Sequence, residues 1–250
     1  MTAIASGKGG VGKTWFSVTL AQALAAQHHR VLLFDGDLGL ANVDIQLGFT
    51  PKHDLGAVLA GRVTLAEAAV PIGGAGFSVL PGRSGSGALA SLPGDALATV
   101  LGGLATLPYD HVLLDLGAGL DTANRRMAAG ADTLLVLVTD EPTSLTDAYA
   151  VIKTERSGRP ARRRAHRRQP GHRCHVGPAD LHDAGPRLLT LPRAHAENWR
   201  GIIRRDPHVT DAIRHQTPLL TRHPNSPAAV DVTHIAAALG GRGKARGSAP

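Results

Sequence analysis

Residues 7–14 read GKGGVGKT, and this stretch decides both the fold class and the kind of ligand to expect. Gly7, Gly12, Lys13 and Thr14 satisfy the P-loop pattern G-x-x-x-x-G-K-[ST]. A short apolar run (residues 3–5) precedes the loop, and a helical pattern (residues 18–26) follows it. Glycines let backbone N–H groups point inward at a phosphate, and the helix N-terminus adds positive potential. The residues predicted to bind the nucleotide are Gly7, Gly9, Gly10, Val11, Gly12, Lys13 and Thr14.

The same loop contains a second lysine, Lys8. One lysine, Lys13, is enough to reach the β- and γ-phosphates, so Lys8 is redundant for simple nucleotide binding. Thr14 is predicted to place its hydroxyl on Mg²⁺, as the last residue of a P-loop does. The loop therefore predicts a nucleotide site with bound Mg²⁺, and Lys8 needs a separate explanation.

The residues around the loop predict one doubly wound α/β domain with a mostly parallel sheet. Several candidate strands are continuous apolar runs (VLLFD, VLLDL, TLLVLV), as expected where helices cover both faces of a parallel sheet. Strands are predicted at residues 2–6, 31–35, 77–81, 112–115 and 133–139, and helices near residues 15–27, 54–60, 94–106, 121–129, 144–153 and 227–239. Ligands of such sheets bind at the carboxyl ends of the strands, where the P-loop falls. We expect a single domain over residues 1–239 and a disordered Gly/Arg/Lys-rich tail over 240–250.

Composition limits the cellular location and the kinds of partner that the sequence allows. The 250 residues contain no apolar run long enough to span a membrane, Met1 leads directly into the first strand, and Cys174 is the single cysteine. These features predict a cytoplasmic protein without disulfides. The net charge of +7 comes from residues 155–200, where eleven arginines face four acidic residues. Since the remainder is neutral, nucleic acid is not expected as a partner unless this segment is genuine.

Carboxylates follow two of the predicted strands. Asp35 and Asp37 end the second strand, and Asp115 ends the fourth, with Gly117 and Gly119 after it. Asp35 is predicted near the outer shell of Mg²⁺, and Asp37 is predicted to orient the attacking water. The alternative is that both aspartates only cap the loop. Asp115 is predicted as the second carboxylate on the metal side, and Gly117 as a switch residue that approaches the γ-phosphate.

With these motifs the chain resembles the MinD/ParA group of deviant-P-loop ATPases over residues 1–153 and 201–235. DGDLGLANVDIQLG, VLPGRSGSGALASL and TDEPTSLTDAYAVIK are most similar to the MinD-like flagellar number regulators, FlhG/FleN. The resemblance implies an ATPase that dimerises when ATP is bound, with two nucleotides between the subunits. It also implies a protein partner in the flagellar or positioning machinery, and control of flagellar number or placement.

The resemblance implies a role for each matching residue. Lys8 reaches the partner subunit's phosphates, and Lys13 holds those of its own subunit. Thr14 binds Mg²⁺, while Asp115 and Asp35 support it through water. Asp37 positions water, and Asn42 belongs to the first switch together with Asp35. The catalytic residues are then Lys8, Lys13 and Asp37, and a partner-facing Lys8 explains the redundancy.

Two alternatives and two departures remain. A partitioning ATPase of the ParA type would bind DNA nonspecifically, and a non-catalytic remnant would keep the motifs without turnover. Iron–sulfur relatives need cysteine clusters that this chain lacks.

Trp15 replaces the small or polar residue usual after the P-loop threonine. The tail GGRGKARGSAP is not an amphipathic helix, so no stable membrane anchor is expected there.

Residues 161–199 are rich in Arg, His and Pro and show neither helical nor strand periodicity. Three interpretations compete: a basic arm for nucleic acid, a metal site at His172, Cys174 and His175, and out-of-frame translation of a GC-rich gene. Reading the permitted codons of residues 167–172 from their second base allows Val-Val-Asn-Gln-Ala-Thr, and the family has a strand ending in Val-Val-Asn there. We favour the frame slip. It predicts that the chain as written lacks a sheet strand, a covering helix and an adenine contact.

Overall fold

A computed structural model describes residues 1–37, 41–82, 94–119, 121–157, 184–192 and 200–243. The strands are β1 (Thr2–Ala5), β2 (Val31–Gly36), β3 (Val70–Pro71), β4 (Ser78–Leu80), β5 (His111–Leu116), β6 (Thr133–Val138), β7 (Ala184–Pro192) and β8 (Arg200–Arg204). The helices are α1 (Lys13–Ala25), α2 (Val43–Leu47), α3 (Leu55–Leu59), α4 (Leu65–Ala68), α5 (Gly94–Thr106), α6 (Thr122–Gly130), α7 (Pro142–Ser157), α8 (Pro207–Arg214), α9 (Leu219–Arg222) and α10 (Pro227–Gly243).

The eight strands form one sheet in the order β3-β4-β2-β5-β1-β6-β7-β8. The five central strands, β4 to β6 in this order, pair in parallel. Pairing becomes antiparallel at both edges, between β3 and β4 and among β6, β7 and β8. The prediction of a doubly wound, mostly parallel α/β sheet is therefore confirmed.

The alternation of side chains along each strand builds two cores, one on each face of the sheet. On β2, Leu33 packs into one core, while Leu32 and Phe34 pack into the other. Helices α1 and α10 lie together over the first face, and α5 and α6 over the second. Because both faces are buried, the strands show the continuous apolar runs that predicted them.

All five predicted strands and all six predicted helices are present, with shifts of a few residues at their ends. The strands β3 and β8 and the helices α2, α4, α8 and α9 were not predicted. Helix α10 continues to Gly243, beyond the predicted end at residue 239 and into the tail. Residues 244–250 of the tail lie outside the described residues. Within the part of the chain that the structure describes, no helix combines the length and the apolar character needed to cross a membrane.

One prediction about residues 161–199 was wrong. We expected no strand there, but residues 184–192 form β7, which pairs antiparallel with β6 from Arg187, opposite Val138, to Pro192, opposite Thr133. The run LLTL supplies residues that suit a strand, and the free edge of β6 supplies hydrogen-bonding partners. The register between β7 and β8 shifts between Ala184 and Arg187, so Pro186 falls at an irregularity, where a proline is tolerated. The proposed metal site at residues 172–175 and the Val-Val-Asn position lie outside the described residues.

Candidate nucleotide site

The phosphate loop connects β1 to α1 at the carboxyl edge of the parallel strands. Gly10 and Gly12 have φ angles of +79° and +93°, a left-handed backbone that glycine adopts without steric cost. Gly12 is the N-cap of α1 and offers no side chain to the helix, so the amide hydrogens of the first turn are left for a ligand. Lys13 is the first residue of α1 and is only 9% exposed. The loop has the shape and the donors that an anionic phosphate requires.

The remaining loop residues hold this shape through contacts with the core, with α7 and with the segment after β5. Val11 is buried in the core under α1. Gly7 packs so closely on Asp147 of α7 that a Cβ atom would collide with its side chain and backbone. Gly9 faces Ala118, with 3.8 Å from a built Cβ to the alanine Cβ. Gly7 is thus required by its close contact with α7, whereas a Cβ atom at position 9 would make only an ordinary van der Waals contact.

Asp115, on β5, lies beneath the start of α1 and is 1% exposed. Its carboxylate accepts hydrogen bonds from the hydroxyls of Thr14 and Ser17, the latter over 2.9 Å between Ser17 Oγ and Asp115 Oδ1. Burial raises the pKa of Asp115 to about 6, although these hydroxyls and the charge of Lys13 oppose the rise. The structure therefore brings Lys13, Thr14 and Asp115 together, as the sequence predicted.

Asp35 pairs in register with Asp115 on the neighbouring strand and is also 1% exposed. Its two carboxylate oxygens accept backbone N–H groups from Asp37 (3.3 Å), Asn42 (2.9 Å) and Val43 (3.0 Å). Burial, followed by the charge of Asp115, raises the pKa of Asp35 to about 8. Asp35 thus makes the loop-capping contacts that were the alternative to a metal role, and it joins β2 to the start of α2.

The two switch segments meet above these carboxylates. Asp37 Oδ1 lies 3.3 Å from the position of a Cβ built on Gly117. The N–H of Gly117 donates to Asn124 Oδ1 over 3.1 Å, and the side chain of Asn124 in turn donates to Asp121. Among the described residues, the buried Oδ1 atom of Asn42 has no hydrogen-bond partner. Asp37 thus lies beside Gly117, whose neighbour Ala118 faces Gly9 of the phosphate loop, and the backbone N–H of Asn42 donates to Asp35.

Lys8 lies on the open side of the loop, and its side chain is 48% exposed. Its Nζ donates to Glu141 Oε2 over 2.7 Å, and this hydrogen bond raises the pKa of Lys8 above its ordinary value. Glu141 precedes α7, and its side chain is 57% exposed. The two lysines of the loop thus occupy different environments: Lys13 is buried at the helix N-terminus, and Lys8 is ion-paired at the surface.

Trp15 is partly buried and packs against the core. The edge of its indole ring packs on Gly12, where a Cβ atom would collide with it, and its ring is perpendicular to that of Phe16. Gly12 is therefore required by its left-handed backbone and also by its contact with this indole. Trp15 thus packs against the phosphate loop at the N-cap of α1.

Sequence reasoning missed Ser17, Asn124 and Glu141. Ser17 follows Lys13 by one helical turn, so helical spacing could have placed it beside the site. Asn124 follows the predicted switch glycine by seven residues, within a helix with an aspartate N-cap, which is a weaker signal. Glu141 follows β6, whose carboxyl end meets the loop, but nothing local predicts its pairing with Lys8.

The parallel sheet and this phosphate loop define a P-loop ATPase of the α/β class. Comparisons with known proteins identify the family. The CobQ/CobB/MinD/ParA nucleotide binding domain matches residues 2–153. The antiactivator FleN of Pseudomonas aeruginosa is 36% identical over 242 residues, which cover 94% of this chain and 84% of FleN. The chain therefore belongs to the CobQ/CobB/MinD/ParA family, and its predicted MinD/ParA membership is confirmed.

Two further proteins extend the comparison. The flagellum site-determining protein YlxH of Helicobacter pylori is 36% identical over 155 residues, 60% of this chain and 52% of YlxH. The septum site-determining protein MinD of Pyrococcus horikoshii, solved with Mg-ADP, superposes with a TM-score of 0.73. That alignment covers 95% of this chain and 94% of MinD at 24% identity, so it supports the fold alone.

Proposed function

We propose that this chain is a Mg²⁺-dependent ATPase whose ATP-bound form dimerises and regulates flagellar number or placement. The observation that carries the proposal is that the two lysines of the loop lie in different environments, one buried and one exposed. Lys13 is buried at the start of α1, the position from which a P-loop lysine contacts the phosphates of its own nucleotide. Lys8 is exposed and held by a surface ion pair, from which it can move to a second subunit.

The residues present fit Mg-ATP. The left-handed glycines open the cradle, and Asn42 Oδ1 is a buried acceptor that has no partner in the part of the chain that the structure describes. Thr14 would hold Mg²⁺ directly, and Asp115 through water, since hydroxyl and carboxylate oxygens suit this ion. Because both oxygens of Asp35 accept backbone amides, its metal role is confined to fixing the loop. When bound, Mg²⁺ neutralises charge that develops on the phosphates during transfer.

The chain's own residues supply positioning and electrostatics. Lys13 holds the β- and γ-phosphates in its own subunit, and the Gly117 amide lies on the switch that approaches the γ-phosphate. Asp37, whose carboxylate lies beside Gly117, orients the attacking water. Lys8 of each subunit contacts the phosphates of the other, so it must first leave Glu141. Hydrolysis is then tied to dimerisation, as with an arginine finger supplied in trans.

The flagellar role rests on the relatives. FleN is described as an antiactivator, and YlxH as a flagellum site-determining protein. We infer that this chain also acts on a protein of the flagellar or positioning machinery, and that it does so in the cytoplasm, where ATP is available. A stable membrane anchor is not part of the proposal.

Turnover measurements test the proposal against its alternatives. Wild-type protein should hydrolyse ATP only with Mg²⁺, and Lys13→Ala should reduce the rate to background because the buried phosphate contact is lost. Equal background rates for both proteins would leave the non-catalytic remnant. Strong stimulation of turnover by DNA would favour a ParA-like partitioning ATPase instead.

A further inference from the structure

Ser17 stands out among the buried polar residues because it connects two parts of the site. It is fully buried on α1, one turn after Lys13. Its Oγ lies 2.9 Å from Asp115 Oδ1 and 3.0 Å from the carbonyl oxygen of Lys13. The first contact joins α1 to β5 across 98 residues of sequence. The hydroxyl therefore touches both the turn that holds the phosphate lysine and the carboxylate on the metal side.

A serine hydroxyl has one hydrogen to donate, so the two acceptors compete for it. A hydrogen bond to an ionised carboxylate is roughly twice as strong as one to a neutral carbonyl, and the ionised Asp115 therefore takes it. Thr14 is the other hydroxyl that the structure places on Asp115. If Thr14 turned its oxygen toward a metal ion, the hydrogen bond from Ser17 would still hold the carboxylate.

We propose that Ser17 is a positioning residue that holds Asp115 in the orientation needed for water-mediated contact with Mg²⁺. The inference rests on the proposed Mg²⁺-nucleotide function and assigns it one further residue. Ser17 acts through Asp115 and not on the nucleotide, so it affects the affinity for the metal more than that for the phosphates. Groups that orient a metal-side ligand in this way typically change metal affinity by about 10- to 100-fold.

Thr19 provides a matched control on the same helix. It is 1% exposed, and its hydroxyl donates to the carbonyl oxygen of Trp15 over 2.7 Å. This is the same local bond, four residues back, that Ser17 can make to Lys13. Thr19→Val removes that bond while keeping the volume, so it reproduces the local cost of losing a buried hydroxyl without touching Asp115.

The test is the Mg²⁺ dependence of ADP binding, measured by calorimetry at fixed ADP while Mg²⁺ is varied. Ser17→Ala should raise the Mg²⁺ concentration at half-saturation by about ten-fold, the lower end of the expected range. ADP binding in EDTA should change by less than about two-fold, because the phosphate contacts are intact. Thr19→Val should behave as the wild type in both measurements.

Ser17→Cys guards against the effect of an empty space, since its larger sulfur atom fills the position of the hydroxyl while remaining only a weak donor. It should shift the Mg²⁺ half-saturation in the same direction as Ser17→Ala, with a wild-type unfolding temperature. If both variants match Thr19→Val, the positioning role of Ser17 is overturned while the proposed function stands. If the wild type binds no ADP with Mg²⁺ present, the proposed function itself fails.

Discussion

The two sides of the phosphate loop differ in how far they are organised before any ligand binds. On the inner side, Lys13, Ser17, Asp35 and Asp115 are buried, and backbone amides and hydroxyls already satisfy the carboxylates. On the outer side, Lys8 is exposed and paired with a glutamate. The inner side is pre-organised for the chain's own nucleotide, whereas the outer side must rearrange before it can contribute.

This contrast indicates which step can be regulated. Pre-organised donors contribute to phosphate binding without reorganisation when the ligand arrives. The surface ion pair of Lys8 is weak in water, so a second subunit with its phosphates can displace it. Under the proposed function, binding depends on the inner side of one chain, while turnover depends on the meeting of two chains. Three substitutions test this division, and the one with the strongest expected effect comes first.

Gly12→Ala should have the largest effect, because it distorts the phosphate loop on the inner side. The new methyl group meets the indole of Trp15, and a φ of +93° strains any residue other than glycine by about 1–3 kcal/mol. Affinity for ATP should fall by about 5- to 140-fold if this strain disrupts the loop, because each 1.4 kcal/mol is a factor of ten. Equilibrium binding of ATP measures the effect.

Gly61→Ala is the control for Gly12→Ala. Gly61 has a φ of +67°, and a built Cβ meets nothing within 4 Å, so the variant carries similar backbone strain far from the phosphate loop. It should lower stability slightly and leave ATP affinity unchanged. An equal loss of affinity in both variants would show that general strain, and not the cradle, is being measured.

Asp35→Asn should alter the pH dependence of stability. The pKa of Asp35 is raised from an ordinary 3.8 to about 8, so the folded protein binds the proton more tightly than the unfolded chain does. This contribution is complete below about pH 4 and is lost as the pH rises toward 8. Without nucleotide or Mg²⁺, the wild type should lose about 2 kcal/mol of unfolding free energy through this group between pH 6 and 8.

Urea denaturation at both pH values measures this loss. Asp35→Asn should lose much less stability over the same interval, because no proton is released from that position. Asp95→Asn, which changes an exposed aspartate on α5, should keep the wild-type dependence. Identical pH dependence in all three proteins would contradict the account of a protonated carboxyl beneath the loop.

Glu141→Gln should have the smallest effect, and it tests the outer side of the loop, where Lys8 is exposed. It removes the charge that holds Lys8 on its own subunit, so dimerisation with a non-hydrolysable ATP analogue should strengthen about two- to four-fold, as befits an exposed pair. Sedimentation velocity measures the dimer. Asp140→Asn breaks the neighbouring exposed pair with Arg205 and should leave dimerisation unchanged. Weaker dimerisation of Glu141→Gln would mean that Glu141 serves the dimer directly.

Much of this architecture could be predicted from the sequence because it depends on local patterns. The P-loop has a fixed spacing, and the buried parallel strands show as apolar runs, so β1, β2, β5 and β6 were found with their helices. Asp37, Asp115 and Gly117 could be placed at the site because the carboxyl ends of parallel strands share one edge. The short helices α2 and α4 contain too few residues to show a period.

The remainder depends on contacts that are distant in sequence. Strand β7 forms against the free edge of β6, which no pattern within residues 161–199 reveals. Lys8 and Glu141 are 133 residues apart, and Ser17 and Asp115 are 98 apart. The loop-capping contacts of Asp35 depend on how the chain returns after β2. In each case the partner is set by tertiary structure and not by the neighbouring residues.

If two chains must meet for ATP to be hydrolysed, turnover must depend on protein concentration. Measuring the rate over a range of protein concentrations therefore tests the proposed dimer. With saturating ATP and Mg²⁺, the rate per molecule of wild-type protein should rise with concentration and then level off as dimers form. Lys8→Ala should bind ATP normally yet show no such rise. A rate per molecule that stays constant from the most dilute to the most concentrated wild-type protein would contradict the account.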